Sequence, residues 1–571
     1  MTERRTLWLV ALAALALRVV LLVARGDYIV YDEGYYLLLA RSLVAGHGYA
    51  LNGLPHVALS PLQPVLVALL SAVGASDLWA SRLLAAVCGS ALVVPVWSLG
   101  RRAGGARGAL AAALLTAGSP ALMSFVPFFP GQSWNLYFGS EPLFLLLAFG
   151  AVAVAARAAD DGADWRWWAA AGLLAGGAYV TRAEGLVLGP VLFAAVAGLL
   201  VARRANAAAW RRFALAVAIA AAASAPYVLY LHRTLGRWAL SGRVQAAAAA
   251  AGQDVPSAVE NGRSGGSVLD AFVWQGRPDA FVKAMYGLDA GGTRMGSQYW
   301  GVRRDAGAAP VGGVVPAVSP PPAPPAPAPP SPSRGRLAVW WQGVTAVVPW
   351  WLGIVALAGL AFGARAALVW VLPLAACATL PSLLVYVEPR SLLPLAPLAA
   401  LYAGIAAAWV DERLGRLRPG WPRGALPAVI TLVLLVPLAR DLLRAWPQTT
   451  PLQQVATAQR TVGEYLARHL PPGGIVMSFH PAVAIWADRP WRVLPDDSFE
   501  RIVAYARAES ASAVVFSRFG PSPIVRPPRP FTIILPGPAA SAAAGATVQV
   551  VPVEETPVLF VGRLVEPHGA P

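Results

Sequence analysis

Residues 7–24 read LWLVALAALALRVVLLVA, and residues 31–36 read YDEGYY. The first stretch is nearly unbroken apolar side chain, long enough for a helix to cross a bilayer core of about 30 Å. Its one charge, Arg18, lies toward the far end. The second stretch sets two adjacent carboxylates, Asp32 and Glu33, just beyond that span. Anions are not drawn to a lipid surface, so the pair needs a reason. A helix over 32–45 offers one, because Asp32 at its start caps free backbone N–H groups. Tyr36, Leu39, Ala40 and Leu43 then share a face, the spacing of a helix lying in the interface, and Gly46 is placed to end it. The other reading is a general base held at the membrane surface.

The rest of the chain has the same character. It is 571 residues long, 57 % apolar and only 13 % charged, with a mean hydropathy of +0.56. A soluble domain carries about 25 % charged residues, so an ordinary soluble enzyme and a disordered chain are both excluded. Ten more apolar stretches follow, at 78–99, 108–123, 141–157, 167–181, 184–202, 213–231, 344–362, 366–386, 391–410 and 424–440. They do not alternate, which points to helices and not to a β-barrel. The expected fold is mainly α, a polytopic bundle of about eleven spans.

The formal net charge is +16, nearly all from arginine, with a single lysine at Lys283. The arginines cluster at 101–107, 157–166, 203–212 and 413–423, between apolar stretches. Cytoplasmic loops look this way, so the basic balance signals orientation in a membrane and no nucleic-acid partner. A cytoplasmic N-terminus puts every cluster inside. Counting the apolar segment 57–74 as a span would reverse that order, so it reads as an interfacial or re-entrant helix. Cys88 and Cys377 lie within apolar stretches, against a disulfide or a zinc site.

Residues 1–440 then form a membrane module, with 25–77 as its first outer loop. A second long outer loop, 232–336, ends in the Pro/Ala-rich linker 306–333. Residues 441–571 read as an extracytoplasmic α/β domain. Its helix falls at Gln454–His469, and β-like runs fall at Gly474–Ser478, Ala513–Phe516, Phe531–Leu535 and Thr547–Val551. No internal repeat is evident, which counts against an inverted-repeat transporter.

Further motifs recur down the chain in a set order. Arg18 lies in the first span, followed by Asp32, Glu33 and Tyr36, by Ala40 and Leu43, and by Gly46–Tyr49. A proline-bearing apolar helix follows at Pro61–Leu70. Arg82 opens the second span, Ser140-Glu141-Pro142-Leu143 the fourth, and Thr181–Gly185 joins the fifth to the sixth. Leu235–Trp238 and Glu388-Pro389-Arg390-Ser391 complete the series. In order and membrane position these resemble the GT-C class of membrane glycosyltransferases over about residues 1–450, and within it the branch of protein O-mannosyltransferases and lipid A aminoarabinose transferases.

The resemblance implies a multi-pass enzyme of the plasma (inner) membrane. It would move a hexose or pentose from a polyprenyl-phosphate donor to a lipid, glycan or protein acceptor on the extracytoplasmic face, with inversion. In relatives the first acidic residue of the loop motif acts as base on the acceptor, which by position is Asp32. A sugar hydroxyl is a poor nucleophile, so proton removal in the transition state matters. The leaving lipid phosphate needs cations, and the arginine fork suits it, which makes Arg182, Arg390 and Arg82 candidates. Glu33 and Glu141 are further catalytic candidates, while Tyr36, His56 and Glu184 are candidates for substrate contact.

Plainer readings stand beside these. Glu33 can hold a loop arginine, Glu141 suits a helix N-terminus in any case, and Arg182 can pair with Glu184 in one tight turn. Arg18 either snorkels or faces the active cavity. Ser391 stands where the family often has a tyrosine. No cluster has metal-ligand spacing, and the Asp-x-Asp motif by which some members of the class hold a divalent metal is absent from the first loop. A reaction without a metal or other cofactor is therefore favoured. Two other classes remain: an oligosaccharide ligase or polymerase, which lacks the early Asp-Glu motif, and a non-enzymatic transporter or scaffold. Charge at span ends and not at mid-bilayer weakens the transporter.

Overall fold

The structure, a computed structural model, describes residues 2–242, 336–517, 547–551 and 559–565, with short breaks that include 26–27, 30–31, 127–134, 363–367, 385–388 and 495–505. The linker 306–333, most of the 232–336 loop and the run Phe531–Leu535 lie outside the described residues.

The chain opens with α1 (Glu3–Arg25), α2 (Asp32–Val44), a hairpin of β1 (Ala50–Leu51) and β2 (Leu54–Pro55), and α3 (Leu62–Ala72). Then come α4 (Asp77–Ala91) and α5 (Val93–Gly118), a hairpin of β3 (Phe125–Val126) and β4 (Asn135–Leu136), α6 (Glu141–Ala158), α7 (Trp165–Thr181), α8 (Gly185–Ala202) and α9 (Ala207–Leu235). After the long loop follow α10 (Arg336–Val347), α11 (Trp350–Phe362), α12 (Leu368–Leu384), α13 (Leu395–Leu417) and α14 (Ala425–Ala445). All eleven apolar stretches of the sequence fall on these helices.

Among the described residues seven helices are long and apolar enough to cross a membrane, or eight if α10 and α11, which meet at 92°, count as one. By length and apolarity alone, that tally takes 78–99 and 108–123 together and leaves out α7 and α12, so it does not decide between eight spans and the eleven read from the sequence. The stretches 78–99 and 108–123 join into one run, Asp77–Gly118, which reverses at Gly105 (φ 64, ψ −167). Glycine adopts that φ without a Cβ clash, and the reversal brings Gly100 so near Ala109 that an added Cβ would lie 3.0 Å from its Cα. Helix α7 stops at 17 residues, and the apolar part of α12 covers only Val369–Pro381. The 57–74 segment forms the 11-residue α3, about 16 Å long and too short to span.

Small residues let the helices approach. In α7, Gly172 and Gly176 stand four apart and face Ala216 and Ala220 of α9. A Cβ on Gly172 would sit 2.2 Å from the Ala216 carbonyl oxygen. This is the small-xxx-small packing of membrane helices. It fixes α7, whose C-terminal end carries Arg182.

The two ends of the bundle differ in chemistry. At one end Arg101 pairs with Glu3, Arg102 with Asp160 at 2.6 Å, and Arg107 with Asp411 at 2.7 Å. Arg203 donates to the Ala159 carbonyl at 2.8 Å. Arginines of two clusters assigned to inner loops, 101–107 and 203–212, thus meet partners there. At the other end lie the N-terminus of α2, the starts of α4 and α6, the end of α7 and Arg390.

Helix α15 (Pro451–His469) leads from α14 into an α/β unit. It contains β5 (Ile475–Ser478), α16 (Ala482–Ala487), β6 (Trp491–Val493), β7 (Ala511–Ser517), β8 (Thr547–Val551) and β9 (Leu559–Val565). The sheet order is β6-β5-β7-β9-β8. Strands β6, β5 and β7 are parallel, while β9 runs antiparallel to β7 and β8. Three strands match runs marked in the sequence; β6 and β9 do not. One apolar cluster runs from Tyr35 and Tyr36 of α2 through Tyr179 and Tyr227 into Val476, Trp491 and Val514 of the sheet.

Candidate active site

Helix α2 turns 100° per residue, so Asp32, Tyr36 and Glu33 fall within one arc of about 100°. That arc faces the bundle. Asp32 accepts from Arg390 Nη1 at 2.8 Å. Glu33 Oε1 lies 3.9 Å from Arg82 Nε, and Arg82 Nη2 donates to the Tyr28 carbonyl at 3.0 Å. The Tyr36 hydroxyl lies 3.0 Å from Ser140 Oγ.

Arg182 forms the hub. Its Nη1 donates to Glu141 Oε1 at 2.6 Å and to Ser140 Oγ at 3.3 Å, and its Nη2 donates to Glu184 Oε1 at 2.8 Å. Arg390 Nη1 approaches Glu141 Oε1 at 3.9 Å, which joins the two arginine centres through one carboxylate. The seven charged groups Asp32, Glu33, Arg82, Glu141, Arg182, Glu184 and Arg390 are each at most 5 % exposed. Four carboxylates face three guanidinium groups, so the cluster carries one formal negative charge. A buried charge is tolerated only when paired and hydrogen-bonded, and these contacts supply the pairing. Burial pushes the Tyr36 phenol up to about 12, and the charges of Asp32 and Glu141 add to the shift. Tyr36 is therefore a neutral hydroxyl at neutral pH.

Eight of the nine residues singled out in the sequence meet in this network. The ninth, His56, holds a turn ahead of α3: its Nε2 accepts from the Leu59 N–H at 3.1 Å and its carbonyl accepts from Tyr230 at 2.8 Å. Arg18 is buried at 4 % exposure and does not snorkel. It donates to the carbonyls of Leu122 at 2.8 Å and Ala14 at 3.2 Å, tying the first span to the turn after α5. Sequence reasoning missed Ser140 as a member of the site. Its position just before Glu141, at the mouth of a span, was the available signal. Among the described residues no group of three His, Cys, Asp or Glu side chains could hold a metal ion.

The arrangement can do two things. Paired guanidinium groups whose present partners are carboxylate oxygens present the donors that a phosphate oxygen would need. A carboxylate beside them can accept a proton once its arginine is otherwise engaged.

Comparison with known proteins bears on the same architecture. A family model described as dolichyl-phosphate-mannose-protein mannosyltransferase matches residues 58–230, which contain Arg82, Glu141, Arg182 and Glu184. None of the curated protein sequences compared matches the chain. Among solved structures, ArnT from Cupriavidus metallidurans bound to undecaprenyl phosphate superposes with a TM-score of 0.52 at 14 % identity, covering 96 % of this chain and 97 % of that one. The oligosaccharyltransferase of Archaeoglobus fulgidus, in complex with zinc and sulfate, gives 0.51 at 14 % identity over 90 % of this chain and 68 % of that one. Mostly helical, with at least seven span-like helices and the superposition on these two proteins, the chain is a multi-pass membrane protein with the fold of the GT-C glycosyltransferases.

Proposed function

We propose that the protein is a membrane glycosyltransferase that moves a sugar from a polyprenyl-phosphate donor to an acceptor hydroxyl at the extracytoplasmic face, with Asp32 as base. The observation that carries this reading is the buried cluster in which Asp32 pairs with Arg390 while Glu141 links Arg390 to Arg182. The mannosyltransferase family match over 58–230 and the likeness to a protein solved with undecaprenyl phosphate support the donor class. The clustering of arginines at the opposite end supports a cytoplasmic N-terminus and an extracytoplasmic site.

In the proposed reaction the donor phosphate takes over Arg390 and Arg182, and Arg82 stands close by through Glu33. Asp32, released from Arg390, gains basicity, because an adjacent guanidinium holds a carboxylate in its ionised, weakly basic form. The acceptor oxygen attacks the anomeric carbon from the face opposite the phosphate. The new C–O bond forms as the bond from that carbon to the phosphate oxygen breaks. The lipid phosphate leaves with the electron pair, the acceptor proton passes to Asp32, and the configuration inverts. Tyr36 and Glu184 border the donor site, and the C-terminal α/β domain covers it on the outer side.

The test is transfer in liposomes from a panel of radiolabelled polyprenyl-phosphate sugars, with a membrane extract as acceptor, for wild type and Asp32→Asn. Loss of a general base lowers the rate by about 100-fold or more, and Asp32→Asn is expected in that range while still binding the donor. Equal rates in both proteins would remove Asp32 as base and move the role to Glu33 or Glu141.

A further inference from the structure

The face of α2 turned away from the charge cluster is also occupied. Gly34 and Tyr35 lie on it, and both meet the C-terminal domain. An added Cβ on Gly34 would lie 2.7 Å from Pro481 Cγ and 3.1 Å from His480 Cε1. The Tyr35 ring, 1 % exposed, packs edge-on against His480 at 6.1 Å and against Trp491 at 5.7 Å. His480 is held in turn: its Nδ1 accepts from the Ala482 N–H at 3.2 Å, and its carbonyl accepts from Ser478 Oγ at 2.8 Å. Trp491 Nε1 donates to the Ser478 carbonyl at 3.0 Å. Two polar contacts flank the seam, Arg41 with Asp488 at 3.5 Å and Arg492 with Asn52 at 2.9 Å.

From this we infer that His480, Pro481 and Trp491 are positioning residues for the reaction: the C-terminal domain clamps the first turns of α2 and so sets where Asp32 and Tyr36 stand. The physical reason is a shared lever. Asp32 precedes Gly34 by two residues on a rigid helix, so rotation of α2 at the Pro481 contact moves the carboxylate against Arg390. Close-packed interiors pass such displacements on and do not absorb them. A hydrogen bond of 2.8 Å to Arg390 leaves little room for movement before it is lost. The sheet, whose first strand starts at Ile475, then belongs to the working site. The inference rests on the proposed role of Asp32.

The test is a size exchange across the seam. Gly34→Ala places a methyl group against Pro481, although alanine is intrinsically the better helix former. Pro481→Ala removes the ring atom it would strike. Gly34→Ala is expected to lower kcat at least 10-fold with the donor KM within about twofold of wild type, and Gly34→Ala/Pro481→Ala is expected to regain most of that loss. Hydrogen exchange supplies a readout independent of transfer. Protection of the α2 amides and of residues 482–487 should fall together in Gly34→Ala and return together in the double variant. An unchanged kcat in Gly34→Ala would overturn the inference, as would a loss that the double variant does not recover. If wild type transfers no sugar at all, the proposed function fails. Coupled exchange would then show that the clamp exists without the reaction it was inferred to serve.

Discussion

Removing Arg182 should cost more stability than any other single charge deletion at the site. Arg182 is 2 % exposed and gives its closest hydrogen bonds to two carboxylates that are themselves almost fully buried, Glu141 at 2.6 Å and Glu184 at 2.8 Å. In Arg182→Met the cluster goes from one excess negative charge to two, and both carboxylates lose their nearest donor. Breaking a buried pair from one side costs about 3–5 kcal/mol. Glu141 keeps Arg390 at 3.9 Å, which places the expected loss toward the lower end. Arg182→Lys keeps the charge, but its single ammonium cannot reproduce the planar fork that bridges both carboxylates, so its loss should be intermediate. Arg182→Met/Glu184→Gln removes charge of both signs and should recover part of the deficit. Contacting residues in one network couple by about 0.5–3 kcal/mol. The assay is equilibrium unfolding in mixed micelles, followed by tryptophan fluorescence. A loss under about 1 kcal/mol for Arg182→Met, the range of solvent-exposed pairs, would mean that water reaches the cluster and that the burial argument is wrong.

Two further outcomes follow from the same contacts. Tyr36 is raised from 10.0 to about 12 in the folded protein, so its contribution to stability is full below pH 10 and is lost as pH rises toward 12. Stability-against-pH curves of wild type and Tyr36→Phe should therefore diverge below that window and converge through it. The variant should show a loss of about 1 kcal/mol from the Ser140 bond at neutral pH, and parallel curves would refute the burial of the phenol. Gly172→Leu must push α7 from α9, because even a Cβ would stand 2.2 Å from the Ala216 carbonyl oxygen. Overpacking typically costs about 1–3 kcal/mol, and since α7 carries Arg182, transfer should fall along with the yield of monodisperse protein. A folded, fully active leucine variant would refute the close crossing.

The helices were legible because hydropathy is a local property, and each of the eleven apolar stretches needs only its own residues to become helical in lipid. The backbone form of each turn between stretches was less legible, since it depends on single residues such as Gly105. The site was legible in composition but not in pairing. That Arg182 pairs with Glu184 could be read as a plain alternative, because the two are neighbours in one turn, whereas for Glu33 only a loop arginine could be named and its partner is Arg82 of α4. The Asp32–Arg390 pair spans 358 residues and no local pattern announces it. The strands β6 and β9 were missed for a related reason: β6 has three residues, too few to show alternation, and strand pairing is decided by partners elsewhere in the chain. His56 was a candidate only through the family resemblance, and its Nε2 accepts from the Leu59 N–H within a turn.

On the proposed mechanism the plain and the functional readings of these charges do not compete. On the proposed function the site has to be stable before the donor arrives, and bare guanidinium groups buried at a membrane surface would not be tolerated. The carboxylates paired with Arg182 and Arg390 meet that need. Glu141, in contact with both Arg182 and Arg390, sits where an anion would bridge them. On the proposed mechanism the donor displaces this internal anion, and the displacement does chemical work, because it frees Asp32 from Arg390 only when a phosphate has arrived. The acceptor then meets an active base only in a donor-loaded site, which couples proton removal to the presence of a leaving group and guards the buried carboxylate from idle protonation. That ordering has a kinetic signature: acceptor analogues should bind measurably only after the polyprenyl phosphate, and Arg390→Met, in which Asp32 is free from the start, should lose it.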